Sequence, residues 1–232
     1  MTPTLVVLAA ASLTNVLPAL YDVWPGSATT KVEFQFDASG RLARQIEKGL
    51  RADAVFTADE EWMDYLLDGG YLALGTRRIV ALNDLVAVVP AKSENLINKP
   101  ADLARPEVKR LALAGHTVPA GRYARAALKH DGVWSDVAAR VVGGGDVRAT
   151  LKLAASGEAD AAVVYATDAL AEPRVRLAFT FAPSSHPPIV YPASVLKRSD
   201  RPEVAGAFLD FCGSKVAQPV WERAGFPAPR SR

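Results

Sequence analysis

One cysteine, three histidines and the lack of any basic block bound what this 232-residue chain can do. Cys212 has no second cysteine to pair with, so an internal disulfide is excluded and the cellular compartment stays undecided. Its place between Phe211 and Gly213, in an apolar helical stretch, makes it a small buried hydrophobe. His116, His130 and His186 are widely separated, with neither metal-ligand spacing nor a nucleophile elbow around them. Basic residues cluster only in pairs such as Arg77-Arg78 and Lys197-Arg198, which is not the footprint of a nucleic-acid surface. With 27 Lys plus Arg against 25 Asp plus Glu, the formal charge is only +2. Leu5 to Leu13 is apolar but far shorter than the ~20 residues that span a bilayer, and no basic segment precedes it as in a signal peptide. It is expected to form the first buried strand. If the natural product is exported, Met1 is expected to be a start codon added to a mature chain.

Half of the residues are apolar, enough for a substantial core in one large or two small domains. Leu5-Val6-Val7-Leu8 reads as a strand covered on both faces. Leu13, Val16, Leu17, Leu20 and Trp24 then recur at helical spacing, interrupted by Pro18. Val32 to Phe36 alternates as a half-buried strand, Leu42, Ile46 and Leu50 line a helix that Gly49 helps to end, and Ala54 to Thr57 is a short strand. Trp62, Leu66 and Leu67 supply the stripe of the next helix. Alternating strands and helices call for a parallel α/β layer.

Leu85 to Val89 opens a second unit of the same style. Leu111 to Ala114, a helix near Ala120 to Lys129, Val141-Val142, a helix from Val147 to Ala155 and the strand Ala161 to Tyr165 follow. The tail, extended near Ile189 to Lys197 and helical from Pro202 to Phe211 and from Lys215 to Arg223, returns to the first unit. This organisation predicts one lobe from residues 1–82 plus 190–232 and another from 83–189. Crossings near Ala81 to Asp84 and Phe179 to Ile189 would make a hinge around a cleft.

Four strand-to-helix junctions carry the functional signal: those at Ser12, at Ala38-Ser39-Gly40, at Pro119-Ala120-Gly121 and at Asp146-Val147. Helix starts leave N–H groups unpaired and partly positive, so several meeting in one cleft would trap an anion without a lysine. Each junction has a plainer alternative. Ser12 and Ser39 suit ordinary helix caps, Gly40 would admit a group close to the backbone, Pro119 suits a first turn and Asp146 would cap its own helix. Gly143-Gly144-Gly145 reads as a flexible turn, but lacks the lysine and hydroxyl of a nucleotide loop. Tyr165, ending a buried strand, could finish the core or donate from its phenol.

The strings Ala9 to Asn15, Ala38 to Ile46, Ala52 to Phe56, Ala58-Asp59 through Tyr65, Val118 to Ala124, Asp146-Val147-Arg148, Val164 to Ala169, Phe208 to Phe211 and Gly225-Phe226 carry a resemblance by their order and spacing. Across essentially its whole length the chain resembles the periplasmic molybdate-binding proteins of ABC-type molybdate importers. The resemblance implies an α/β, two-lobed type II periplasmic binding protein fold, with a mixed or mostly parallel sheet in each lobe, a hinge and a central cleft. It implies high-affinity binding of molybdate, with tungstate beside it, and delivery to an ABC permease by a monomeric periplasmic protein whose signal peptide is absent here. No catalysis, no cofactor beyond the bound oxyanion, no nucleic acid and no direct side-chain metal ligand are implied. Matched motif by motif, the ligand positions fall on Ser12, Ser39, Ala120, Val147 and Tyr165, with the backbone N–H as the donor at Ala120 and Val147. One departure is His116, where relatives carry an acidic residue after the glycine. Arg41 and Arg122, beside ligand segments, would either steer the anion or face solvent.

A fully deprotonated oxyanion presents acceptors only, whereas phosphate retains a proton that needs an acceptor, so a donor-only cavity would reject phosphate. The alternatives are a binding protein for sulfate or another tetrahedral oxyanion, the sensing domain of a regulator, and an enzyme acting on a small anion. The regulator would need a helix-turn-helix, and none precedes Leu5. The enzyme would need His116 or an acid such as Asp59 beside the anion.

Overall fold

The computed structural model describes residues 4–227; Met1 lies outside them. The chain forms two compact units, one up to Leu82 and again from Val190, the other from Asn83 to Ile189. The first unit holds β1 (Thr4–Ala10), α1 (Val16–Val23), β2 (Lys31–Asp37), α2 (Ser39–Glu47), β3 (Ala54–Phe56), α3 (Glu60–Asp68) and β4 (Arg78–Asn83). The second holds β5 (Leu85–Pro90), β6 (Leu111–Ala114), α4 (Pro119–His130), α5 (Trp134–Val137), β7 (Val141–Gly144), α6 (Val147–Ala155), β8 (Ala161–Tyr165), α7 (Ala166–Leu170) and β9 (Val175–Thr180). Strand β10 (Ile189–Val195) and helices α8 (Pro202–Cys212) and α9 (Gln218–Arg223) complete the first unit. No helix among the described residues is long and apolar enough to cross a membrane.

Each unit is built on a five-stranded mixed sheet, ordered β2-β1-β3-β10-β4 in the first and β7-β6-β8-β5-β9 in the second. The two share a plan. In the first, β1 runs parallel to β2 and β3, and β10 lies antiparallel to β3. In the second, β6 runs parallel to β7 and β8, and β5 lies antiparallel to β8. The aliphatic runs occupy the inner strands: Leu5, Val7 and Leu8 of β1 and Leu111 to Ala114 of β6 are fully buried. The alternating run forms edge strand β2, with Lys31, Glu33 and Gln35 more exposed than Val32, Phe34 and Phe36.

Several local expectations change. A 3-10 turn at Ala11–Leu13 follows β1, and α1 starts only at Val16. Ser12 therefore does not cap α1, and Pro18 falls in the helix's first turn, where a missing N–H costs nothing. Trp24 closes α1 rather than continuing its stripe, buried edge-on to Phe208 at 5.1 Å between centroids. Helix α2 stops at Glu47, which leaves Leu50 exposed beyond Gly49 at φ 94°. Met63 and Leu66, not Leu67, form the buried face of α3. Gly143 and Gly144 are strand residues of β7, paired with Leu113 and Ala114, rather than part of a flexible turn. Strands β4 and β9, at sheet edges, and the short helices α5 and α7 have no counterpart in the sequence expectation. Cys212 is buried and unbonded to another cysteine, and burial pushes its thiol up, as suits a small hydrophobe.

Candidate functional site

In the first unit the register aligns the candidate residues. Ala10 of β1 pairs with Asp37 of β2, so Ser12 and Ser39 each lie two residues beyond the carboxyl end of adjacent parallel strands. That edge is where ligands bind in open α/β sheets. Both serines are buried, Ser12 at 2% and Ser39 at 1% exposure. Each oxygen already accepts a hydrogen bond: Ser12 Oγ from the Tyr191 hydroxyl at 2.9 Å, and Ser39 Oγ from the Ala58 N–H at 3.0 Å. At the start of α2, the Arg41 and Leu42 N–H groups both bond to the Ala38 carbonyl at 2.9 and 3.1 Å. The N–H groups of Ser39 and Gly40 consequently have no acceptor within the helix. The glycine at 40 also answers to packing, since a Cβ there would press into the Trp62 indole.

The second unit repeats the arrangement with backbone donors. β6 pairs with β7 up to Ala114 and Gly144, and parallel β8 ends at Tyr165, so α4, α6 and α7 all open from one sheet edge. In α4, Pro119 has no N–H and the Arg122 N–H is the first to bond back, to Val118 O at 3.0 Å, leaving the Ala120 N–H without an intrahelical acceptor. Gly121 is fixed by closeness: a Cβ would overlap the Gly115 and Ala114 carbonyl oxygens. Asp146 caps α6 as expected, accepting from the Ala149 N–H at 2.8 Å, and the Val147 N–H, two positions before Ala149, has no acceptor inside the helix. Tyr165 is 1% exposed, with its ring edge-on to Tyr123 at 6.4 Å.

The turn bearing Tyr165 is tightly tied. Asn83 Nδ2 donates to Thr167 Oγ1 at 2.9 Å, and the Ala166 N–H donates to Asp84 O at 2.9 Å. Wholly buried Asp168 lies 2.6 Å from Arg148 Nε, linking the first turns of α6 and α7. Burial pushes its carboxyl up to about 6, against the opposing pull of Arg148 and of a hydrogen bond from the Tyr165 backbone. None of Tyr191, Ala58, Asp168 or Arg148 was a sequence candidate. Ala58, Arg148 and Asp168 lie in strings that carry the resemblance, and Asp168 follows the strand end at a helix-start spacing of three, whereas Tyr191 lies in none of those strings.

Asp59 caps α3, accepting from the Trp62 N–H at 3.1 Å, and His116 is exposed in the turn before α4. His130 lies beside Asp131, and His186 packs on the Tyr123 ring at 6.0 Å. Arg41 is engaged by Asp37, Nε to Oδ1 at 2.5 Å. Among the described residues no group of three or more His, Cys, Asp or Glu could hold a metal ion.

Known proteins resemble this chain in sequence and in fold. The molybdate-binding protein ModA of Haemophilus influenzae is 36% identical over 231 residues, covering 96% of this chain and 89% of its own. The protein of the same name from Escherichia coli is 34% identical over 225 residues, covering 95% and 87%. The periplasmic molybdate-binding protein of Azotobacter vinelandii superposes with a TM-score of 0.88 at 23% identity, over 97% of this chain and all of that one, and so shares the fold. The bacterial extracellular solute-binding proteins match residues 5–227, and the chain belongs to that family.

Proposed function

We propose that this protein captures molybdate outside the cytoplasm and delivers it to the permease of an ABC importer. The observation that carries the reading is the chemistry of the two sheet edges: hydroxyls with an acceptor position already filled in one unit, and helix-start N–H groups in the other. Two relatives above 30% identity, each named for molybdate binding, support the choice of ligand.

Ser12 and Ser39 donate from hydroxyls, Ala120 and Val147 from backbone N–H groups, and Tyr165 from its phenol. Hydrogen bonds to a charged partner contribute ~1.5–3 kcal/mol each, so a handful offset the desolvation of a dianion. The helix starts add their partial positive charge without bringing a proton that could leave. Tungstate, alike in charge and shape, binds in the same way. The protein works as a monomer in the periplasm, needs no cofactor and performs no catalysis.

Titration calorimetry in buffer free of other oxyanions tests the proposal. Stoichiometric binding of molybdate and tungstate, with no heat from phosphate, is expected. No binding of molybdate defeats it.

A further inference from the structure

Helices α4 and α6 each bring a backbone donor to the edge of the second sheet, but their first turns are anchored differently. Asp146 caps α6 with its own side chain, whereas Val118, at the entrance of α4, makes no side-chain cap bond. The turn before α4 closes on itself, Val118 N–H to Gly115 O at 3.0 Å, with His116 and Thr117 exposed. The tie between α4 and the strand it follows is made instead by Arg125. Its side chain leans back toward the helix start, as helical side chains do. A single terminal nitrogen, Nη1, donates to Ala114 O at the end of β6 at 2.8 Å and to Gly121 O in the first turn of α4 at 2.9 Å. That nitrogen carries two hydrogens, so one goes to the strand and one to the helix. The guanidinium carbon lies 5.6 Å from the ring centroid of Trp134, the first residue of α5. Gly121 approaches so closely that a Cβ would overlap the Gly115 and Ala114 carbonyl oxygens, and a seam that gathers carbonyl oxygens needs a cation among them.

We infer that Arg125 is a positioning residue of the anion site: it ties the first turn of α4 to the end of β6 and thereby holds the Ala120 N–H where the oxyanion binds. The inference rests on the molybdate reading above, in which Ala120 donates from its backbone. Gly121 permits the close approach of helix and strand, and Arg125 supplies the attraction that maintains it. Ala120 immediately precedes Gly121, so a shift of the bridged carbonyl carries the donor with it. A hydrogen bond weakens steeply as its distance and angle depart from ideal, so a small shift is felt in binding. Arg125 acts through the backbone: both Nη1 hydrogens are spent on carbonyl oxygens. In α6 the corresponding work is done by the Asp146 cap and by the Arg148–Asp168 pair, and Lys152, five residues after Val147 as Arg125 is after Ala120, is exposed.

The test uses the whole chain as wild type, Arg125→Met, Arg125→Ala and Arg125→Lys, titrated with molybdate in oxyanion-free buffer at low and at high sodium chloride. Thermal unfolding checks that each variant folds, and the two truncations stand in for one another. Both truncations are expected to weaken molybdate about 5- to 10-fold, part of what one hydrogen bond to a charged partner is worth. The fold-change should be the same at both salt concentrations, because a misplaced backbone donor is not screened. Lysine places one nitrogen with three hydrogens near the same two carbonyls, and Arg125→Lys should return to within about 3-fold of wild type. Truncations that lower the unfolding midpoint but bind molybdate as wild type does would show a merely structural arginine and overturn the inference. A weakening that vanishes at high salt is long-range attraction by the charge and overturns it too, as does a lysine variant as weak as the truncations. Each of these outcomes leaves the molybdate reading standing. Wild type that binds no molybdate overturns both.

Discussion

The two sheet edges offer donors of opposite character. In the first unit Ser12 and Ser39 use side-chain hydroxyls, groups that rotate and that both donate and accept. In the second, Ala120 and Val147 offer backbone N–H groups whose direction is fixed by the first turn of a helix and which never accept. A hydroxyl can therefore be retuned by a neighbouring side chain. A backbone donor changes only when the helix moves or when proline deletes the N–H.

Moving a helix is the most damaging way to probe that difference. Gly121→Ala inserts a Cβ into the Gly115 and Ala114 carbonyl oxygens and forces α4 away from the end of β6. It should cost about 3 kcal/mol or more, read as a lowered unfolding midpoint, and should weaken molybdate because the Ala120 N–H moves with the helix. Full stability in this variant would mean that the close approach of α4 is not required.

The pair joining α6 to α7 gives the next effect. Burial raises the Asp168 carboxyl from an ordinary 3.8 to about 6, so the folded chain holds that proton more tightly than the unfolded chain. The associated stability is fully present below pH ~4 and is lost as pH rises through about 6, on the order of 3 kcal/mol in all. Stability of wild type relative to Asp168→Asn should therefore fall between pH 4 and pH 7. A flat difference across that window would contradict the burial of this carboxyl.

The serines should separate from one another in stability as well as in binding. Ser39→Ala strands the Ala58 N–H and should cost about 1–3 kcal/mol. Ser12→Ala strands a phenol, which can turn toward another partner, and should cost less. Both should weaken molybdate by roughly 10-fold or more, as loss of a hydrogen bond to a charged partner requires. Equal stability costs would erase the distinction between backbone-held and side-chain-held hydroxyls.

The smallest expected effect is the most specific. Val147 is the first residue of α6 and follows extended Asp146, so Val147→Pro fits the helix start while deleting one donor. Molybdate should weaken about 10-fold in this variant, whereas Val147→Ala, which keeps the N–H, should bind as wild type does. If alanine weakened binding as much as proline, the side chain rather than the backbone would be the contact.

Much of this fold is legible in the residues. Leu5-Val6-Val7-Leu8, Leu111 to Ala114 and Ala161 to Val164 announce buried strands, and Asp146 marks the start of α6 at Val147. Strands β4 and β9 are not legible, because an edge strand needs only one buried face and theirs carry Arg78, Asn83 and Arg176. The start of α1 is not legible either, because a serine after a strand suits a 3-10 turn as well as a cap. The five candidate positions came from the resemblance, while their alignment along sheet edges comes from strand register. What no local pattern could give is the contact that holds Ser12, since Tyr191 reaches it across 179 residues of sequence.

The central claim is that these edges offer an anion donors and no acceptor. Competition calorimetry of molybdate against phosphate, in anion-free buffer at pH 6 and pH 8, tests it most directly. The account predicts stoichiometric molybdate binding at both pH values that millimolar phosphate does not displace. Displacement by phosphate, growing as pH falls and phosphate gains its proton, would mean that an acceptor faces the ligand and would contradict it.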